Sequence, residues 1–159
     1  GHREIAFVGG LKEMATTMVK VKAIQKKLKE HGLEIPKERL LLGDFSIDSG
    51  KEQMARLLEQ QNPPTAVICV NDYTAIGAIK ATIEHGLSIP GDISIVGYDD
   101  TPLASAVIPE LTTVSQNTYQ LGKLAVDLLH DLIGGGKTKK QTALQPELII
   151  RQSTGPARR

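Results

Sequence analysis

Cysteine is nearly missing from this chain of 159 residues: Cys69 stands alone inside the apolar run VICV. One thiol closes no internal disulfide, so a small buried hydrophobe and a reducing, cytoplasmic setting are expected. Charge imbalance is missing as well. The formal net charge of +1 gives no electrostatic case for nucleic acid or an acidic membrane as a direct partner. No apolar run approaches the length that spans a bilayer, and no signal sequence opens the chain. No serine sits in a nucleophile elbow and no His/Cys cluster has metal spacing. The glycines of FVGGLKE are not followed by the GK[ST] of a phosphate loop. The expectation is no catalytic residue, no metal and no cofactor. His2, His31, His85 and His130 lie away from strand ends, mostly beside helix ends, where solvated or capping roles are usual. GGGKTKKQ is read as a flexible basic loop and the lysine-rich first helix as a solvated face.

What is present is an ordered alternation. Apolar residues make up 40% and charged ones 23%, enough for one domain with a core. EIAFVGG is a short strand. Residues 14–32 follow as a helix with Met14, Met18, Val21 and Leu28 inward and Gly32 as its stop. RLLLGDF is a second strand, and Asp48 or Ser49 caps a helix whose inner stripe is Met54, Leu57 and Leu58. TAVICV is a third strand, followed by a helix over 73–85 with Ile76, Ile79 and Ile83 inward, closed by Gly86. DISIVGYDD is the fourth strand, LTTVSQ a fifth, 119–133 an amphipathic helix, and LQPELIIRQST the last strand. Short connections and near-continuous Val/Ile runs predict an α/β doubly wound, mostly parallel sheet with helices on both faces.

Parallel strands deliver their C-terminal ends to one edge, where ligands bind. Those ends carry Gly9-Gly10, Asp44-Phe45, Asn71-Asp72, Asp99-Asp100 and Gln116. The first helix begins there too, with Thr16 and Lys20 one turn apart. Amide, carboxylates, aromatic ring, hydroxyl and ammonium therefore converge into a pocket for a small polar molecule. Asp72 and Asp100 are assigned to helix capping, and Asn71 and Asp99 to the pocket.

In this order, GHREIAFVGG, GDFSIDSG, PTAVICVNDYTAIGAIKA, GLSIPGDISIVGYDDTPLA, PELTTVSQ and RQST resemble the effector-binding core of the lac repressor/gal repressor family of bacterial transcription regulators. The resemblance covers nearly the whole chain. It implies one lobe of a two-lobed, periplasmic-binding-protein-like clamp that closes on a small-molecule effector, a sugar, sugar phosphate or purine. By that pattern Phe45 stacks on the effector, Asn71, Asp99 and Gln116 hold its hydroxyls or ring nitrogens, and Thr16 and Lys20 touch it from the first helix. The family usually has Arg at Lys20, and replacing a bidentate fork by a point charge leaves the effector class open. KVKA is closer to the catabolite control branch, but Ile108 stands where that branch has Arg, so its phosphorylated carrier protein is not carried over as a partner.

The resemblance also implies a homodimer, through Tyr73, Ile76, Lys80, Ile83, Leu103 and Val107. Operator DNA would be reached only through a headpiece that this chain does not contain. Residues 1–110 plus 143–159 would form the C-terminal lobe, and 111–142 would belong to the other lobe. The chain is therefore read as cut from something longer, and helix 119–133 as an orphan that packs on a second copy or docks back on its own sheet. The alternatives are a periplasmic-type sugar-binding receptor and, less in keeping with the missing nucleophile and metal ligands, a small hydrolase.

Overall fold

The computed structural model describes residues 1–136 and 142–158. The basic loop expected from GGGKTKKQ falls in part on 137–141, outside the described residues. Among the described residues, six strands and four α-helices follow one another: β1 (Ile5–Gly9), α1 (Ala15–Glu30), β2 (Leu40–Leu42), α2 (Ile47–Leu58), β3 (Ala66–Cys69), α3 (Asp72–Glu84), β4 (Ser94–Val96), β5 (Thr113–Ser115), α4 (Thr118–Ile133) and β6 (Glu147–Ile149). The main sheet runs β2-β1-β3-β4, every pair parallel, with Phe7 opposite Leu40 and Ile5 opposite Ala66. The fifth and last strands pair with each other instead, as an antiparallel ribbon joined to the sheet edge by single bridges at Val96–Thr112 and Asp99–Ser115.

Alternation along the strands separates two apolar layers. Ala6, Val8, Val67, Cys69 and Ile95 point to α2 and α3, meeting Met54, Leu57, Ala75, Ala78 and Ile79. Ile5 and Phe7 point the other way, to Val21, Ile24 and Leu28 of α1. Cys69 is buried as expected, and that burial pushes its thiol pKa up. The terminal RQST is built in beside β4: the Ser153 hydroxyl donates to the Ile95 carbonyl at 2.6 Å and accepts from the Thr112 amide at 2.8 Å.

Several local expectations are corrected. Met14 is exposed, and Thr17 takes the inward position on the first turn of α1. Ser46, not Asp48 or Ser49, caps α2, its hydroxyl accepting from the Ser49 amide. Ile83 is 53% exposed, because small residues (Ala75, Ala78, Ala81) let α3 lie close to the sheet and turn the larger side chain outward. α2 and α3 approach through Gly50 and Gly77, where an added Cβ would strike backbone of the facing helix. No residue of α4 is buried.

Candidate effector site

The parallel strands place their C-terminal ends along one edge, and each end is built differently. After β1, Gly10 lies against the Phe45 ring; a Cβ there would occupy the space of the ring itself. The missing side chain is what lets Phe45 settle, half-buried, over the layer beneath α1. After β2, Asp44 accepts from the Ser46 amide at 2.7 Å, which holds its carboxyl below the usual carboxylate value.

After β3, Asn71 performs the capping assigned to Asp72. Its Oδ1 accepts from the Thr74 amide and its Nδ2 donates to the Phe45 carbonyl at 3.2 Å, tying two strand ends together. Asp72 is fully buried and has another role. Its carboxylate accepts from the Thr101 amide at 2.7 Å and the Thr113 hydroxyl at 2.6 Å, so it fastens β5 and the loop after β4 to α3. The cap assigned to Asp100 is also absent: Asp100 pairs with Arg151 at 2.7 Å, and Arg151 also donates to the Leu111 carbonyl. These corrections share one cause. A carboxylate that two or three donors from distant segments can reach is worth more there than as a local cap, and Asn serves the cap equally well.

After β4 the backbone is strained. Asp99 has φ 114 and Asp100 φ 55, values that residues with a Cβ seldom adopt. That turn presents the Asp99 carboxylate to Gln116, whose Nε2 donates at 2.7 Å. Burial raises the Asp99 pKa, and the Lys20 charge and the Gln116 bond work against that rise. Lys20 is the counterpart. Burial lowers its pKa and Asp99 opposes the shift; its Nζ donates to the Val70 carbonyl at 2.9 Å and lies 3.5 Å from the centroid of the Tyr98 ring.

Of the six expected contact residues, Lys20, Asp99 and Gln116 form one polar row, and Asn71 and Phe45 form a second pair. Thr16 is exposed on the first turn of α1 and makes no side-chain hydrogen bond among the described residues, while its neighbour Thr17 buries a hydroxyl with no partner. Sequence reasoning missed Tyr98 as the platform for Lys20. The signal was its place in GYDD, directly before Asp99 at the exit of β4. The residues expected at a dimer contact also gather. Ile76, Lys80, Ile83 and Val107 line an apolar groove of about 310 Å³ together with Ile108, and exposed Tyr73 and Leu103 stand on the same pair of segments.

This fold is shared with known proteins. The family model for the periplasmic binding protein-like domain matches residues 1–154. The HTH-type transcriptional repressor PurR of Histophilus somni strain 129Pt is 38% identical over 154 residues, covering 96% of this chain and 46% of that protein. PurR of Haemophilus influenzae strain PittEE is 38% identical over 157 residues. Among solved structures, a regulatory protein of the LacI family from Chloroflexus aggregans superimposes with a TM-score of 0.90 at 32% identity, covering 98% of this chain and 56% of that one. The Lac repressor dimer bound to operator and the anti-inducer ONPF gives 0.87 at 34% identity, covering 97% and 53%. The chain belongs to the periplasmic binding protein-like domain family and is similar to the LacI-type transcriptional regulators. It spans about half the length of the curated relatives it matches. Among the described residues no helix is long and apolar enough to cross a membrane.

Proposed function

We propose that this chain is the effector-sensing, dimerising lobe of a cytoplasmic transcriptional repressor. The effector is a sugar, sugar phosphate or purine held at the strand-end edge by Thr16, Lys20, Phe45, Asn71, Asp99 and Gln116. The observation that carries this reading is the Lys20–Asp99–Gln116 row. A half-buried carboxylate in strained backbone beside a half-buried ammonium is costly to a fold, and such costs persist where a ligand uses them. Asp99 accepts from ligand hydroxyl or ring N–H groups, Gln116 keeps it oriented, and Phe45 offers a flat apolar surface.

Residues 1–110 with 143–159 form most of this lobe; of the 111–142 segment expected in a second lobe, Leu111, Thr112 and Thr113 are buried in this one, and α4 is the part that belongs with a second lobe outside the chain. Effector that binds the closed arrangement of two lobes more tightly than the open one shifts the population and, through a headpiece also outside this chain, the affinity for operator DNA. The apolar groove of α3 and the 107–108 segment supports a homodimer through Tyr73, Ile76, Lys80, Ile83, Leu103 and Val107. A transport-type receptor shares the fold; the relatives named as repressors favour regulation. Titration calorimetry on the full-length protein with hexoses, hexose phosphates and purine bases tests the site. Asp99→Ala and Asn71→Ala are expected to weaken the ligand that binds by tenfold or more, roughly the effect of one lost hydrogen bond to a charged group. Unchanged affinity in both variants overturns the assignment.

A further inference from the structure

The strained turn after β4 is fastened on both sides. On its near side the Asp99 amide donates to the Val114 carbonyl at 2.9 Å, and on its far side the Thr101 amide donates to Asp72. Asp100 lies between them at φ 55, and its own amide makes no hydrogen bond among the described residues. Its side chain is the hold. Asp100 accepts from the Arg151 guanidinium at 2.7 Å, with both side chains mostly buried. Backbone of this kind persists only where its surroundings over-determine it.

Arg151 is itself a fixed post. Its guanidinium donates a second bond to the Leu111 carbonyl at 2.9 Å, and its amide donates to the Thr112 hydroxyl at 2.9 Å. The next amide, of Gln152, donates to the Glu110 carbonyl at 2.9 Å. None of these anchors involves Asp100. The turn is therefore tied to the post, and a planar fork lets one side chain grip both Asp100 and the Leu111 carbonyl. We propose, resting on the strand-end effector site above, that Arg151 is a positioning residue for that site. Through Asp100 it locks the turn that presents the Asp99 carboxylate to Gln116 and to the effector. A ligand held by Asp99 then depends on Arg151 without touching it. A pair that only stiffened the lobe would leave Asp99 in place when removed.

Carboxyl NMR titration of Asp99 in the whole chain, read with the Gln116 side-chain amide signals, is the test. No effector enters the measurement, so its failure and that of the Asp99→Ala calorimetry are separate results. The double variant Arg151→Met with Asp100→Asn removes one charge of each sign, which leaves the net charge near Asp99 unchanged. Asparagine also tolerates the left-handed backbone at position 100. Burial is the main cause of the raised Asp99 pKa, and the charges acting on it directly are Lys20 and Asp72. A released turn lets the carboxylate reach water. The expected result is an Asp99 pKa that falls toward the ordinary 3.8, with the Gln116 amide protons moving to the shifts of a free glutamine. Arg151→Lys keeps the charge and loses the fork. It should move Asp99 the same way by less, and it decides the matter should the double variant not fold. Arg39→Met with Glu4→Gln, an ion pair at the opposite ends of the strands, is the control and should leave Asp99 unmoved. An Asp99 pKa that stays at the parent value or rises in the folded variant overturns the proposal. So does one that moves equally in the control.

Discussion

The Lys20 ammonium lies 3.5 Å from the centroid of the Tyr98 ring and donates to the Val70 carbonyl at 2.9 Å. The contact joins α1 to the ends of β3 and β4 and fixes one positive charge against Asp99. Lys20→Met keeps the apolar stem and removes the cation. The expected cost in urea unfolding is about 1 kcal/mol, the usual size of a partly desolvated cation–π contact. The Asp99 pKa, followed by carboxyl NMR, should rise further in the variant because Lys20 is what holds it down. An Asp99 titration that does not move would separate the two groups.

Asp99 itself makes stability depend on pH. Its folded pKa is raised above the ordinary 3.8, chiefly by burial. Between the two values the folded chain binds more proton than the unfolded one, so stability falls as pH rises through that window. Asp99→Asn removes the titration and keeps an oxygen for Gln116. Its thermal midpoint, measured against the parent from acid to neutral pH, should therefore gain on the parent as pH rises. A difference that stays flat with pH contradicts this.

Gly77 is the close point between α3 and α2. A Cβ there meets the Ile47 carbonyl and the Lys51 amide, and neither is free to move aside. Gly77→Ala should destabilise by about 3 kcal/mol, at the upper end for overpacking, despite the better helix propensity of alanine. Gly122, on exposed α4 with nothing within 4 Å, is the control, and Gly122→Ala should do no harm. Equal urea midpoints for Gly77→Ala and the parent would show that the two helices are not held this closely.

Much of the architecture was legible in the sequence because Val/Ile runs and helical spacing follow from burial alone. EIAFVGG and TAVICV report which residues are buried whatever else surrounds them, while the helix after each kept its inner face except at Met14 and Ile83. Roles that depend on distant partners were not legible. Asp72 and Asp100 have the composition of caps, and only the fold brings Thr101, Thr113 and Arg151 to them. Asn71 took the cap assigned to Asp72 through that same ambiguity. α2 and α3 close together through Gly50 and Gly77, a pairing of two glycines 27 positions apart that no periodicity encodes.

The groove on α3 is expected to hold copies of the chain together. Ile83 is 53% exposed and Ile108 85%, more apolar surface than a folded lobe gains from leaving in water. Ile83→Glu should lower the average mass in sedimentation equilibrium. A mass distribution that Ile83→Glu leaves unchanged removes the groove from the assembly.

The central claim is that a small polar effector meets this lobe at the ends of its parallel strands. Amide chemical-shift mapping on the chain, with hexoses, hexose phosphates and purine bases at millimolar concentration, detects even the weak binding expected of half a clamp. The account predicts that the ligand that perturbs the spectrum does so at Thr16, Lys20, Phe45, Asn71, Asp99 and Gln116, and that Asp99→Ala abolishes the shifts. Shifts confined to the α3 groove, with the strand ends silent for every ligand, would contradict it.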